Sequence, residues 1–260
     1  MFLLKIHEHK EKELKIHASL IKSKFKITEN DSESIEGIFI LGGDGTILRY
    51  LRNLALKEKP YLTTTLIIAV NFGSFGCLAP FDCKELGLVI DKLISKDYKI
   101  IQRKRLKIKS KNNFLGFALN DILITSKIGV LNKFIIQING NKLKEIRCDS
   151  VLISTQSGSS GYNYSGKGPF LTCQDVFVVN CLNPCQVNFN PLVVSGNVKI
   201  SLVTEYLDLK DVQCVIDGYD DYKGINEFSF ELESGSLKFM AMNDECNEYV
   251  KIANRLFYLK

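Results

Sequence analysis

The sequence predicts an α/β domain built on a parallel sheet, followed by a mostly antiparallel β domain. Two observations lead there. Gly37 to Leu41 (GIFIL) and Leu66 to Val70 (LIIAV) are apolar throughout and separated by a helical stretch, the pattern of strands covered on both faces. After about Tyr98 the chain becomes a series of short strand-like runs between turn signals, among them Asn139-Gly140, a pair that tolerates the positive φ of a tight hairpin.

Taken in order, Phe2 to His7 reads as a strand and Glu8 to Phe25 as a lysine-rich helix. GIFIL runs straight into GGDGT, Ile47 to Lys57 has helical periodicity, and LIIAV runs into NFGSFG. Lys84 to Ser95 reads as a further helix. IIQRKRLKIKS, ALNDILITS, KFIIQING, DVFVVNCL, PLVVSGNVKISLV, VQCVIDG and EFSFELES are the short strands of the second part. Asp244 to Phe257 reads as a final helix. The expected division is 1–98 for the α/β domain, 99–235 for the β domain, and 236–260 for a tail that returns to the first.

Composition narrows the function classes. The 260 residues are 45% hydrophobic with a net charge of +5, which excludes disorder and suits an anionic substrate better than nucleic acid. The apolar amino-terminal stretch is too short for a signal peptide or a membrane span, so a soluble, cytoplasmic protein with no membrane or nucleic-acid partner is expected. The eight cysteines form no CxxC pair, and all three histidines lie within the first 17 residues. Zinc needs tighter spacing, so no protein metal site is expected, and most cysteines are read as small buried apolar residues in a reducing compartment. Arg103, Arg105, Lys107, Lys109 and Lys111 share one parity, which reads as the solvated face of an edge strand guarded by charge.

Three strings carry chemistry. In Gly42-Gly43-Asp44-Gly45-Thr46, glycines let the backbone approach a phosphate while the following helix start offers amide donors. A carboxylate there needs a task, such as holding magnesium or accepting a hydroxyl proton; the plainer alternative is a tight turn with Asp44 as a helix cap. Asn71-Phe72-Gly73-Ser74-Phe75-Gly76 again places small residues beyond a buried strand, where open α/β sheets bind ligands. The third string runs from Ser154 to Tyr162 (STQSGSSGY). Its hydroxyls suit ribose and phosphate, and its ring suits a base. Gly161 to Lys167 spells the body of a P-loop, but Gly168 replaces the required hydroxyl and Pro169 curtails the helix. Asn120-Asp121, Asp149 and Asp217-Gly218 are, taken singly, turns, caps or satisfied polar groups.

Together these strings resemble the NAD kinase family. GGDGT is similar to its phosphate motif, NFGSFGCLAP to its second glycine loop, and Asn120-Asp121 to its Asn-Glu pair. Asp149 to Pro169 (DSVLISTQSGSSGYNYSGKGP) resembles its nucleotide-binding stretch, and the order fits from Gly42 to Asp217. The resemblance implies a Rossmann-like α/β domain plus a β-sandwich, assembled as a homodimer or homotetramer. It implies transfer of a phosphoryl group from ATP or polyphosphate to the adenosine-ribose 2′-hydroxyl of NAD, with magnesium or another divalent ion. By the same carry-over Asp44 is the catalytic carboxylate. Gly42, Gly43, Gly45 and Thr46 cradle phosphate. Asp44, Gly45, Asn71, Phe72, Asn120, Asp121, Asp149, Ser157, Ser160, Gly161 and Tyr162 contact NAD.

The chain departs from the family pattern at Ser150, Gln156, Gly161, Asp121 and Asn190, where the family carries glycine, proline, alanine, glutamate and arginine. Two alternatives stay open at this stage: a lipid kinase of the diacylglycerol or sphingosine kind, which shares GGDGT, and a pyridine-nucleotide binder without turnover.

Overall fold

A computed structural model describes the chain except for residues 29–34, 57–59, 74–75, 127–129, 186–188, 206–208 and 258–260. The chain forms two compact units, one of residues 1–103 and 235–260, the other of residues 104–234.

The first unit opens with β1 (Phe2–Ile6), α1 (Glu11–Lys24), β2 (Ile27–Thr28), β3 (Gly37–Gly42), α2 (Asp44–Leu56) and β4 (Leu66–Asn71). It continues through β5 (Phe81–Asp82), α3 (Leu86–Ser95) and β6 (Lys99–Arg103). Strands β3 and β4 are buried at every position, as their unbroken apolar runs require. Phe39 and Leu41 point into a core with Leu14 and Ile21 of α1 and Val89, Ile90 and Leu93 of α3. The alternate residues Ile38 and Ile40 face the other way. Helix α2 packs on β3 and buries Ile47, Leu48, Leu51 and Leu54.

In the second unit the chain makes β7 (Leu106–Ser110), β8 (Asn113–Ala118), β9 (Asp121–Thr125), β10 (Asn132–Ile138), β11 (Asn141–Lys142), β12 (Ile146–Cys148) and β13 (Ser150–Ser154). A short helix α4 (Tyr162–Ser165) precedes β14 (Val176–Leu182), β15 (Leu192–Ser195), β16 (Ile200–Thr204), β17 (Gln213–Ile216), β18 (Tyr219–Lys223) and β19 (Glu227–Leu232). Two antiparallel sheets result, ordered β11-β10-β16-β19-β7-β8 and β15-β14-β13-β9-β17-β18. Their inner faces share one core, from Ile108, Phe134 and Phe230 of the first sheet to Val151, Phe177 and Cys214 of the second. This is the sandwich. The β10–β11 hairpin turns at Asn139 and Gly140, with φ of 48° and 82°.

The chain then re-enters the first unit as β20 (Leu237–Ala241) and α5 (Glu245–Phe257). Strand β20 lies parallel to β4 and antiparallel to β6, completing the order β2-β1-β3-β4-β20-β6. Glu248, Ile252 and Leu256 recur at every fourth position of α5 and form its buried stripe.

The five cations do not share one face: Arg103 ends β6 in the first unit, Arg105 precedes β7 in the second, and both are buried. Lys104 breaks the strand, so the parity argument fails across it. Arg105 instead meets Glu233 through two hydrogen bonds of 2.8 Å. ALNDILI is not one strand; β8 ends at Ala118 and β9 begins at Asp121. Of the eight cysteines only Cys148, Cys181 and Cys214 are buried, and burial raises the Cys214 thiol to about 12. Among the described residues no helix is long and apolar enough to cross a membrane.

Candidate functional site

The candidate residues fall into two groups, one in each unit. In the first unit, β3 and β4 pair in register up to Gly42 and Asn71, and Phe72 N donates to Gly42 O at 3.1 Å. The two glycine turns therefore emerge side by side at the carboxyl ends of adjacent parallel strands. A Cβ on Gly73 would lie 3.2 Å from Gly43 Cα, tighter than an ordinary contact, so glycine at 73 eases the close approach of these backbones. Ser74 and Phe75 of the second turn lie outside the described residues.

Asp44 is the first residue of α2, so the turn-cap alternative gives way to an acidic side chain in the first helical turn, where the helix dipole favours it. Its side chain reaches across to the segment after β4. Cys77 N donates to Oδ2 at 2.8 Å and Leu78 N to Oδ1 at 3.0 Å. Each oxygen keeps a further lone pair. The carboxylate is held in one orientation and remains able to accept a proton.

Around Asp44, Gly42 and Gly43 form the turn, and Thr46 N closes on Gly43 O at 2.9 Å. Thr46 Oγ1 is buried without a hydrogen-bond partner among the described residues. Asn71 Oδ1 accepts from Gly73 N at 2.9 Å and so shapes the second turn. Phe72 is held from α1 and its approach: Lys10 Nζ donates to its carbonyl at 3.0 Å, and the His17 ring packs edge-on at 4.8 Å. With Gly45 and Gly73 exposed beside a half-buried Asp44, the carboxylate can accept a hydrogen bond from a hydroxyl.

Arg103 is the residue that strand periodicity misassigned. Its guanidinium approaches Cys77 O at 3.5 Å and lies over the Phe239 ring. Burial lowers its pKa from the ordinary value, and the charges of Tyr249, Asp44 and Glu248 act in the opposite direction. One signal was present in the sequence: Arg103 shares the parity of Ile101, whose inward position it continues.

In the second unit, Asn120 and Asp121 lie at the junction of β8 and β9, beside the end of β13, where Ser154 pairs with Asp121. Asp217, a satisfied polar group as its single reading suggested, accepts from Leu119 N, Asn120 N and Asp121 N at 2.8, 2.7 and 3.1 Å. Burial, with the charge of Asp217 adding to it, raises the Asp121 carboxyl to about 7.

The serine string is not an open polar loop. It forms a tight turn at Ser157–Ser160 followed by α4, and Ser154, Thr155, Gln156, Ser157 and Ser159 are buried. Thr155 Oγ1 donates to Leu119 O at 2.5 Å and accepts from Gly158 N at 3.1 Å. Thr155 N donates to Asn120 O at 2.9 Å. The string is thus bolted to the Asn120 backbone. Thr155, which the sequence reading passed over, is the bolt.

Polar groups without a partner or with exposure remain at this end of β13. Asn120 Oδ1 is buried with no partner among the described residues. Ser160 is half-buried, while Gly161 and Tyr162 are exposed. Asp149 is not brought to this cluster. It precedes β13, roughly 15 Å from that strand's far end, and its side chain accepts from Asn183 Nδ2 at 2.8 Å. The P-loop-like string from Gly161 to Lys167 holds only the four-residue α4, too short for that motif. Among the described residues no group of three or more His, Cys, Asp or Glu side chains is placed to hold a metal.

Residues 119–243 match the family model described as ATP-NAD kinase C-terminal domain. The chain is 34% identical over 199 residues to a bifunctional NADP phosphatase/NAD kinase of Methanocaldococcus jannaschii, covering 74% of this chain and 33% of that protein. It therefore spans about one third of the length of that relative. It is 30% identical over 190 residues to an NAD kinase of Methanopyrus kandleri, covering 72% of this chain and 66% of the other. The fold superposes on an NAD kinase from Archaeoglobus fulgidus, solved in complex with ATP, with a TM-score of 0.80 at 22% identity over the full length of both.

Proposed function

The chain belongs to the NAD kinase family, and on that premise we propose that it transfers a phosphoryl group from ATP or polyphosphate to the adenosine-ribose 2′-hydroxyl of NAD, giving NADP. The observation that supports this best is Asp44, a carboxylate held by two backbone amides between two touching glycine turns. In the proposed step the 2′-oxygen bonds to the terminal phosphorus, and the bond from that phosphorus to the donor's bridging oxygen breaks. The hydroxyl proton passes to Asp44. Such transfers depend on positioning and charge neutralisation rather than on covalent help from the protein.

The remaining residues bind and orient. Backbone amides of Gly42, Gly43 and Gly45 and the hydroxyl of Thr46 meet phosphate, with Asn71 and Phe72 beside them. Asn120 Oδ1, buried and unpartnered among the described residues, accepts from an exocyclic amine of the nucleotide. Tyr162 lies against a base, with Ser157, Ser160 and Gly161 flanking it and Asp121 nearby. A magnesium ion would be held through nucleotide phosphates and water, where it would neutralise charge. We place the enzyme in the cytoplasm as a homodimer or homotetramer, with Asp149 contacting nucleotide outside the Asn120 cluster.

Purified protein with NAD, ATP and magnesium should produce NADP, measured with an NADP-specific dehydrogenase, with polyphosphate and a diacylglycerol acceptor run in parallel. Asp44→Asn should cut turnover by about 10²–10⁴-fold, the share a positioned base supplies, while NAD still binds. NAD binding without NADP formation favours the non-catalytic reading, and phosphorylation of the lipid favours the lipid kinase. Undiminished turnover in Asp44→Asn removes Asp44 from the mechanism.

A further inference from the structure

We infer that Arg255 of α5 is a positioning residue for Asp44, acting through the first of the two peptide planes that hold its carboxylate. A trans peptide is rigid and planar, with its C=O and N–H pointing in opposite directions. Gly76 C=O and Cys77 N–H belong to one such plane, and Cys77 C=O and Leu78 N–H to the next. In the first plane the N–H donates to Asp44 Oδ2, while the carbonyl accepts from Arg255 Nη1. In the second the N–H donates to Asp44 Oδ1, while Arg103 Nη2 stands 3.5 Å from the carbonyl. The first plane is gripped at both ends, by Arg255 on one side and Asp44 on the other, while the second is held by Asp44 with Arg103 beside its carbonyl.

Two features mark this as an arrangement specific to these planes. Gly76 takes φ of +68°, and a Cβ there would lie 2.4 Å from Asn71 Nδ2, so the segment is pressed against the Asn71 turn. Leu78 and Ala79 are buried directly after it. A cation on a carbonyl also polarises its peptide and strengthens the opposite N–H as a donor. Lys251, one turn earlier on α5, provides an internal control. Its Nζ donates to Pro80 O at 2.6 Å, on the same segment but outside the two planes that reach Asp44.

The catalytic side of this role rests on Asp44 being the proton acceptor, whereas the clamp itself does not, so the test has two readouts. Arg255→Met should lower kcat by roughly 10- to 100-fold, the scale of a small misplacement at the reacting centre, with KM for NAD within about twofold of the unaltered protein. Arg255→Lys, which keeps one donor, should recover most of the loss, and Lys251→Met should behave like the unaltered protein. Amide exchange at Cys77 and Leu78 should quicken at least about tenfold in Arg255→Met, as in Asp44→Ala, but not in Lys251→Met.

Unchanged exchange in Arg255→Met overturns the clamp, whatever the activity. Faster exchange with unchanged kcat in an active enzyme reduces Arg255 to a structural contact and overturns the positioning role. Faster exchange in a protein that makes no NADP overturns the proposed reaction and leaves the clamp standing.

Discussion

After β3 the chain turns through Gly42 and Gly43 into α2, leaving Gly45 exposed and Asp44 half-buried with its carboxylate held by Cys77 N and Leu78 N. After β13 the chain turns just as tightly but folds its hydroxyls inward: Ser159 Oγ donates to Gln156 O at 2.7 Å and accepts from Leu171 N at 2.9 Å. Both segments are short, glycine-bearing and polar, and both follow a fully buried strand. Glycine serves opposite ends in them. In the first it lets two turns approach closely at the ends of adjacent strands. In the second, Gly158 lets the serine turn sit against the Asn120 carbonyl, where a Cβ would lie 2.1 Å from the oxygen. Polar composition alone therefore does not say which groups a ligand can reach. The hydrogen-bond inventory does.

The contrast is broken most directly at Gly158. Gly158→Ala puts carbon against a backbone atom that cannot swing away, and should cost the second unit about 3 kcal/mol, read as a lower urea midpoint. A cost below about 1 kcal/mol would mean that the serine turn is not locked to Asn120.

Next in size is a pH effect on the same unit. The folded-state pKa of Asp121 is raised from 3.8 to about 7, so its contribution to stability is complete below about pH 4 and is lost as pH climbs to about 7. Asp121→Asn should remove that loss and gain about 2 kcal/mol at pH 8 relative to pH 4, roughly half of what 1.36 kcal/mol per unit would give, since partial exposure screens the charge. Identical pH profiles of the urea midpoint for the two proteins would show that the carboxyl is not buried beside Asp217.

The outward-facing part of the serine segment is sharpened by Tyr162, whose side chain is 50% exposed. Tyr162→Ala should weaken NAD binding by about 1–2 kcal/mol, the scale of one base–aromatic stack, and leave thermal unfolding within about 1 °C. Calorimetric titration with NAD checks it; a matching loss of stability would place the ring in the core instead. The smallest effect belongs to Gly45, whose added Cβ would meet nothing within 4 Å. Gly45→Ala should stabilise the first unit by about 0.5 kcal/mol through helix propensity. If phosphate approaches that backbone closely, KM for the phosphoryl donor should rise even so.

Much of the fold was legible from local pattern. GIFIL and LIIAV marked the buried parallel strands because an all-apolar run has no face to give to water, and Asn139-Gly140 marked its hairpin because both residues accept φ > 0. The place of Asp44 at the strand end was legible for a similar reason, since GGDGT follows directly on the buried run. Arg103 and Arg105 were misread because a period of two carries meaning only within one strand, and Lys104 separates two of them. The inward hydrogen bonds of the serine segment were not legible, because composition counts hydroxyls without saying what they bind.

What the sequence determined by itself was thus much of what neighbours a few residues away set: the buried strand runs, the Asn139-Gly140 turn and the glycines around Asp44. What only the tertiary structure decided was which groups meet across the chain. Asp44 finds the amides of Cys77 and Leu78, more than thirty residues on, and Gly76 finds Arg255 at a separation of 179. Periodicity reports which way a side chain leaves its own strand or helix. The partner waiting there is brought by the packing of another element, and no local pattern contains it.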